Sequence, residues 1–142
     1  MTTNRVDIID RSVEKTHIWL NELAAELGTE DRKYAYRILR AVLHAVRDRL
    51  TVDETAQLAA QLPELIRGIY YEGWDPSGVP ATYHHSKPFL DRIAAEASLA
   101  GESEASYAAA AVIDVIRHHV SAGELDHVLH MLPAQVRAVL AS

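Results

Sequence analysis

The chain has 142 residues, of which 49% are hydrophobic and 24% are charged, with a formal net charge of −6 and no cysteine. This composition is typical of a folded domain that buries about 70% of the surface its unfolded chain exposes, and it excludes disorder of the whole chain. The absence of cysteine excludes disulfides, thiolate metal sites and cysteine nucleophiles, and the negative charge disfavours general nucleic-acid binding.

The chain shows no sign of a secretory signal or a membrane helix. Its start, Met1 to Asp7, carries charges and lacks an apolar core. No apolar run approaches the roughly 20 residues of a membrane helix; the nearest, Tyr107 to Ile113, stops at Asp114. We therefore expect a cytoplasmic protein without a membrane partner.

Four helices are predicted in the first half. The first is amphipathic and ends at Gly28, because apolar residues recur at three- and four-residue steps with a histidine in one of the apolar positions: Val6, Ile9, Val13, His17, Leu20, Leu23 and Leu27. The second covers about residues 31–50 and has a broad apolar face. Thr51 and Glu54 form a capping box that begins the third, and Pro63 suits the first turn of the fourth.

An irregular segment of about residues 73–86, the bridging loop, separates the two halves. Aromatic residues are concentrated in and around it: Tyr70, Tyr71, Trp74, Tyr83 and Phe89. A flexible linker would not hold so many rings. We therefore expect the bridging loop to be ordered and to pack across both halves.

The second half repeats the first at an offset of 70 residues. Ser121 and Glu124 repeat the capping box, and Pro133 repeats the helix-opening proline. The segment from Tyr107 to Ile116 is apolar nearly all round, which predicts the most buried helix.

Because two similar helical units must share one core, we predict one all-α domain over residues 1–142. It contains about eight helices in two four-helix repeats, about residues 6–72 and 87–141, related by an approximate two-fold axis. The second helix of each repeat, about residues 31–50 and 103–120, crosses the other near the centre.

The most distinctive segment of the chain is Arg67-Gly68-Ile69-Tyr70-Tyr71-Glu72-Gly73-Trp74. Together with Trp19-Leu20, Arg47-Asp48-Arg49-Leu50 and Phe89-Leu90, it resembles the bacterial family called domain of unknown function 2267 over about residues 10–140. The resemblance implies a duplicated all-helical fold and a bacterial, cytoplasmic protein. It implies no activity.

A row of basic residues follows one face of the second predicted helix: Lys33, Arg37, Arg40, His44 and Arg47. One interpretation is a solvated face whose charges pair with the protein's own acids. Another is a docking surface for an anionic partner. A DNA-reading helix is a third interpretation, which the net charge disfavours.

Arginines also accompany the aromatic residues near the bridging loop. Arginine pairs with carboxylates and stacks on rings, so Arg47 and Arg67 are either structural clamps on nearby acids and carbonyls or members of an interaction patch. The predicted interaction surface combines both patterns: Arg37, Arg40, Arg47, Arg49, Tyr71 and Trp74.

Two Glu-x-x-His pairs on predicted helices support an alternative, a metal-binding bundle with di-metal oxidase-like or storage chemistry. They are Glu14 with His17 and Glu124 with His127, at the spacing that di-iron bundles use. Glu124 is already assigned to a cap, and the apolar position of His17 favours a hydrogen-bonded core or boundary residue. No metal is therefore assigned to these candidates.

The sequence carries no nucleophile elbow, phosphate loop or dinucleotide fingerprint, so we assign no catalytic residue and no cofactor. It favours a non-catalytic protein-interaction or regulatory module that docks an acidic partner, and a homodimer stays open. A homo-oligomeric structural protein is a further alternative, which predicts an exposed apolar face at Leu39 and Leu43 or at Ile66 and Ile69.

Overall fold

Eight α-helices form the part of the protein that the computed structural model describes, residues 4–141. Their bounds are α1 Asp7–Leu27, α2 Arg32–Arg47, α3 Val52–Ala59, α4 Glu64–Tyr71, α5 Ser86–Ala97, α6 Glu102–His119, α7 Ala122–Met131 and α8 Ala134–Ala141. Between α4 and α5 lies a short 3-10 helix, Pro76–Gly78. The described residues contain no strand, and the predicted all-α class with eight helices is confirmed.

The ends of the predicted domain, residues 1–3 and 142, lie outside the described residues. None of the described helices is long and apolar enough to cross a membrane.

Helix α1 is a single helix, as its apolar period predicts. Gly28 ends it with φ 70°, and the Gly28 N–H bonds to carbonyls of the preceding turn. Glycine adopts this left-handed conformation without a steric penalty. The C-terminal half of α1 is anchored in the core by Trp19 and Leu23, which are 1% and 0% exposed.

The N-terminal half of α1 projects beyond the core. Three residues that the periodicity assigned to the apolar face are 52%, 60% and 41% exposed: Val6, Ile9 and Val13. His17 is exposed as well, so its predicted core or boundary position is wrong. Thr16 is buried instead, and its hydroxyl donates to the Ser12 carbonyl at 2.7 Å. The core-facing row of α1 therefore passes through position 16.

Helices α2 and α6 contact each other at the centre of the fold. Ten of the 16 residues of α2 are buried, against eight of 18 in α6. The segment from Tyr107 to Ile116, predicted to form the most buried helix, lies in α6. That prediction is wrong, because Tyr107 and Asp114 face solvent. Leu39, Leu43 and Ile66 are fully buried and Ile69 is partly exposed, so these four residues do not form the exposed apolar face that the homo-oligomer alternative predicts.

The two predicted capping boxes differ. At α3, the Thr51 hydroxyl accepts from the Glu54 N–H, and the Glu54 carboxylate accepts from the Thr51 N–H at 2.9 Å. At α7, the Ser121 hydroxyl accepts from the Glu124 N–H, but the Ser121 N–H donates to the Gln61 side chain at 2.8 Å. The second complete box is therefore a wrong prediction, because packing of α3 on α7 supplies a different acceptor.

The bridging loop is fastened to the end of α2. The Ala81 N–H donates to the Asp48 carbonyl at 2.7 Å, and the Tyr83 ring lies 5.3 Å from the Arg49 guanidinium. The Asp48 carboxylate also accepts from Arg92 of α5 at 2.8 Å. The loop is therefore packed on α2 rather than free.

Helix boundaries recur at the predicted offset. Helices α6, α7 and α8 begin 70 residues after α2, α3 and α4. Helices α2 and α6 each contact both α1 and α5. One departure is that α5 begins at the equivalent of position 16, so residues 7–15 of α1 have no helical counterpart. The two-fold symmetry and the bounds of the repeats stay predictions.

Candidate functional site

Three members of the basic row on α2, Arg37, His44 and Arg47, bond to the C-terminal ends of neighbouring helices, whereas Lys33 is exposed. The Arg37 Nε donates to the carbonyl of Ala97, the last residue of α5, at 3.1 Å. His44 lies between α4 and α5, with Nε2 2.7 Å from the Ile69 carbonyl and Nδ1 2.7 Å from the Glu96 carboxylate. The last carbonyls of a helix lack partners within it and lie at the negative end of its dipole. These basic side chains therefore stabilise the fold.

Arg40 and Arg47 are also held within the fold. Arg40 bridges the carboxylates of Glu72 and Glu96, and its bond to Glu72 lowers the pKa of that carboxyl. Arg47 is 3% exposed and donates to the carbonyls of Tyr70 and Glu72, both at 2.8 Å. Arg47 is therefore a structural clamp, and its placement on an exposed interaction surface is wrong.

The other members of the predicted interaction surface, Arg49, Tyr71 and Trp74, lie at the bridging loop and are partly exposed. The Tyr71 ring packs between those of Tyr70 and Trp74, with centroids 5.3 Å from each. In the part of the chain that the structure describes, Arg49 Nε and Trp74 Nε1 are buried without a hydrogen-bond acceptor. A binding role for these three residues stays a prediction.

Arg67 and Arg137 hold equivalent positions in the two halves, and both act as clamps. Arg67 donates to the carbonyls of Ala59 and Leu62 at 2.8 and 2.9 Å, which satisfies the end of α3. Arg137 reaches the corresponding carbonyls at the end of α7 over longer distances, including 3.3 Å to Leu129. The clamp interpretation of Arg67 is confirmed.

The four candidate metal ligands do not form a centre. Glu14 and His17 are exposed on α1, whereas the His127 Nε2 lies 3.6 Å from the Glu54 carboxylate. Glu124 sits at the start of α7, next to its cap. Across residues 4–141, no three His, Asp or Glu side chains are grouped so that they could hold a metal ion. The geometry therefore does not support the di-metal alternative.

A cleft of about 610 Å³, the α1 groove, lies between the N-terminal half of α1 and the turn that joins α3 to α4. Its lining includes the apolar side chains of Trp19, Leu62 and Pro63. The His119 ring, at the end of α6, stacks on Trp19 with centroids 4.8 Å apart. A volume of this size is within the range of ligand sites, roughly 300–1,000 Å³.

The α1 groove is cationic. Arg11 and Lys15 line it from α1 and are exposed, and neither has an ion-pair or hydrogen-bond partner among the described residues. Arg67 adds a third positive charge, and Glu64 is the carboxylate that lines it. The lining is thus positive on a chain whose net charge is −6, and such a cleft attracts anionic groups.

The same part of α1 exposes apolar surface. Of the ten large hydrophobic side chains that are exposed among the described residues, half lie in residues 6–18, and Ile8 and Ile18, 57% and 44% exposed, line the α1 groove. Concentrated exposed apolar surface marks interaction sites in folded proteins. The arrangement is therefore suited to binding an amphipathic, acidic group.

Sequence reasoning missed the α1 groove because it considered only the row of Val6, Ile9 and Val13, and left Ile8 and Ile18, which line the groove, outside that row. One available signal was the offset of 70 residues at which the sequence pattern recurs. At that offset, the counterparts of residues 7–15 fall in the bridging loop, where the structure has no α-helix. No sequence pattern distinguishes Arg11 and Lys15, because their cleft forms only where α1 packs against the α3–α4 turn.

Fold and site together define an all-α protein with a cationic groove. A family model described as uncharacterized conserved protein, domain of unknown function 2267, matches residues 16–139. The chain belongs to this family, in agreement with the resemblance seen in its sequence. No curated protein matches the chain. Residues 7–15, which carry Arg11 and Lys15, lie outside the matched range.

Proposed function

We propose that this chain is a non-catalytic protein-interaction module of the bacterial cytoplasm, and that it docks an acidic partner protein in the α1 groove. The observation that carries the proposal is the pair of exposed cations, Arg11 and Lys15, which line a cleft that also contains apolar side chains and have no internal partner among the described residues. Unpaired cations at such a cleft favour encounter with an acidic surface, and the adjacent apolar side chains add affinity.

Internal bonding is the reason to prefer the α1 groove over the basic row on α2. Arg40 and Arg47 are occupied by carboxylates or carbonyls of the same chain. A partner would have to replace those bonds before it could use the arginines. Arg11 and Lys15 have no internal bonds among the described residues that a partner would have to replace.

The test is capture of the partner from a bacterial lysate by the tagged chain, at low and high salt. Arg11→Glu with Lys15→Glu should abolish capture, because it reverses the charge of the groove wall. Arg32→Glu with Lys33→Glu is the matched control, since it makes the same charge change at two exposed residues of α2. All four substitutions replace exposed side chains, so thermal unfolding should stay nearly unchanged.

The proposed docking predicts that high salt releases the partner from the wild-type chain, because exposed charges are screened over about 10 Å at 0.1 M salt. Equal loss of capture in both double variants would show a diffuse charge effect. Retention of capture by Arg11→Glu with Lys15→Glu would move the docking site away from the α1 groove.

A second candidate surface is the remainder of the predicted one, at the bridging loop. It is supported by the unused donors of Arg49 and Trp74. Arg49→Ala in the same capture experiment distinguishes the two sites: loss of the partner in this variant alone would favour the bridging loop. Charge reversal at Arg37 and Arg40 is a poor test, because it also breaks bonds to α4 and α5.

A further inference from the structure

We infer that the occupant of the α1 groove is an amphipathic α-helix of the partner, with two acidic side chains between two aliphatic ones, laid alongside the N-terminal half of α1. The inference rests on the proposed function, because it names the form of the acidic partner at that same site. It follows from the spacing, charge and exposure of the residues that α1 presents to the groove.

The groove-facing row of α1 has the spacing of a helix-packing seam. Ile8, Arg11, Lys15 and Ile18 follow one another at steps of three, four and three residues, and all four line the cleft. These steps are those of the a and d positions at which paired helices interdigitate. Ten residues of helix rise about 15 Å, so the row offers an elongated seam of nearly three turns.

The row is aliphatic at both ends and cationic at its centre, and this order defines the side chains that a complementary helix must present. Its two ends are isoleucines that are 57% and 44% exposed. Its centre is the cationic pair Arg11 and Lys15. A helix that presents aliphatic side chains at its ends and Glu or Asp between them would cover the apolar ends and pair both charges.

A helical occupant fits the groove better than an extended one. An extended peptide gains affinity by pairing its backbone with an open strand edge, and residues 4–141 contain no strand. The backbone of α1 is bonded within its own helix, so recognition along this wall must use side chains. Side-chain recognition at steps of three and four is the way in which a helix is read in a groove.

The groove wall also faces a cleft that is open among residues 4–141. Residues 7–15 extend α1 beyond the point at which α5 begins in the second half, and they lie outside the family match. The exposed aliphatic side chains of this extension do not contribute to the core. This extra helical length serves a partner rather than the stability of the domain.

The experiment uses the full chain and a synthetic 18-residue peptide based on Ala and Gln, with Leu, Glu, Glu and Leu at steps of three, four and three. Two matched peptides replace both Glu by Lys, or place Pro at the centre. Binding is followed by calorimetry, and methyl NMR reports on Ile8 and Ile18. We expect the Glu peptide to bind at low salt and to shift both isoleucine signals, with the Lys and Pro peptides at least tenfold weaker.

A charge-swapped chain provides the decisive control. Arg11→Glu with Lys15→Glu should reverse the preference, so that the Lys peptide binds better than the Glu peptide. Equal binding of the Glu and Pro peptides, or no binding of the Glu peptide at millimolar concentration, would overturn the helical occupant. If the lysate partner still depends on Arg11 and Lys15 in that case, the proposed function stands without the helix. If capture of the lysate partner does not depend on Arg11 and Lys15, the α1 groove is not the docking site.

Discussion

At the scale of single residues, the Tyr34 hydroxyl joins the starts of the two central helices by donating a hydrogen bond to the Glu104 carboxylate. The two residues are 70 positions apart, at equivalent places in the halves. The bond raises the pKa of Tyr34 to about 12, and it adds to the Ala100 N–H in lowering the pKa of Glu104. This contact therefore stabilises the fold only while the tyrosine is neutral and the carboxyl is charged.

Tyr34→Phe should destabilise the protein most in the pH range above the pKa of Glu104 and below the pKa of Tyr34. Because the folded state raises the Tyr34 pKa, its contribution is full below the unfolded value of about 10 and is lost as pH rises through about 12. Because the folded state lowers the Glu104 pKa, that contribution is lost as pH falls through the lowered value. Urea unfolding of both proteins across pH measures the difference.

Glu104→Gln should lower the free energy of unfolding where Glu104 is charged, and its difference from wild type should disappear as pH falls through the lowered pKa of Glu104, since the amide lacks the charge that Tyr34 recognises and does not titrate. Glu14→Gln is its control, because Glu14 is exposed and has no bond among the described residues. A difference between wild type and Tyr34→Phe that does not change with pH would show that the hydroxyl contributes independently of the Glu104 charge.

At the scale of elements, helices are joined by basic side chains that bond to the C-terminal carbonyls of their neighbours. Arg67 serves α3, Arg137 serves α7, and Arg37 serves α5. Charged donors bind such carbonyls more strongly than neutral donors do. These three arginines therefore connect short helices that would be marginal alone.

The equivalent pair allows a matched test of that role. Arg67→Ala should lower the free energy of unfolding by about 1.5–3 kcal/mol, the range for hydrogen bonds from charged groups. Arg137→Ala should cost less than about 1 kcal/mol, because its bonds of 3.3 to 3.5 Å are longer than the 2.8 and 2.9 Å of Arg67. Chemical denaturation provides both values, and equal losses would contradict the geometric argument.

At the scale of the whole molecule, the N-terminal half of α1 is an addition to a core that is complete without it. Its aliphatic side chains are largely exposed, and the helices behind it pack through residues from position 16 onward. One bond ties it to α4, from the Leu65 N–H to the Ser12 hydroxyl at 3.0 Å. Stability and partner binding should therefore be separable in this chain.

A chain that begins at Thr16 should keep its helical circular dichroism and a cooperative thermal transition, with a loss of roughly 1 kcal/mol for the Ser12 contact. It should lose the acidic partner, because one wall of the α1 groove is gone. Ser12→Ala isolates the contribution of the contact. Failure of the shortened chain to unfold cooperatively would place residues 7–15 in the core.

Helix type, number and approximate bounds could be predicted from the sequence because they depend on local chemistry. The period of apolar residues, Gly28 after the first helix and the Thr51 cap each act within a few positions of the chain. The second capping box failed for the opposite reason: a side chain 60 residues away took the Ser121 N–H.

The sequence by itself determined an all-α chain of eight helices, the repeated helix starts and the family. Only the tertiary structure decided which charges are free. The sequence alone does not distinguish Arg40 and Arg47 from Arg11 and Lys15 as residues available to a partner. In the structure, Arg40 and Arg47 bond to carboxylates and carbonyls from distant positions, whereas Arg11 and Lys15 line an open groove. The physical reason is that helical spacing fixes the face on which a side chain lies, whereas packing between distant segments fixes what that face meets.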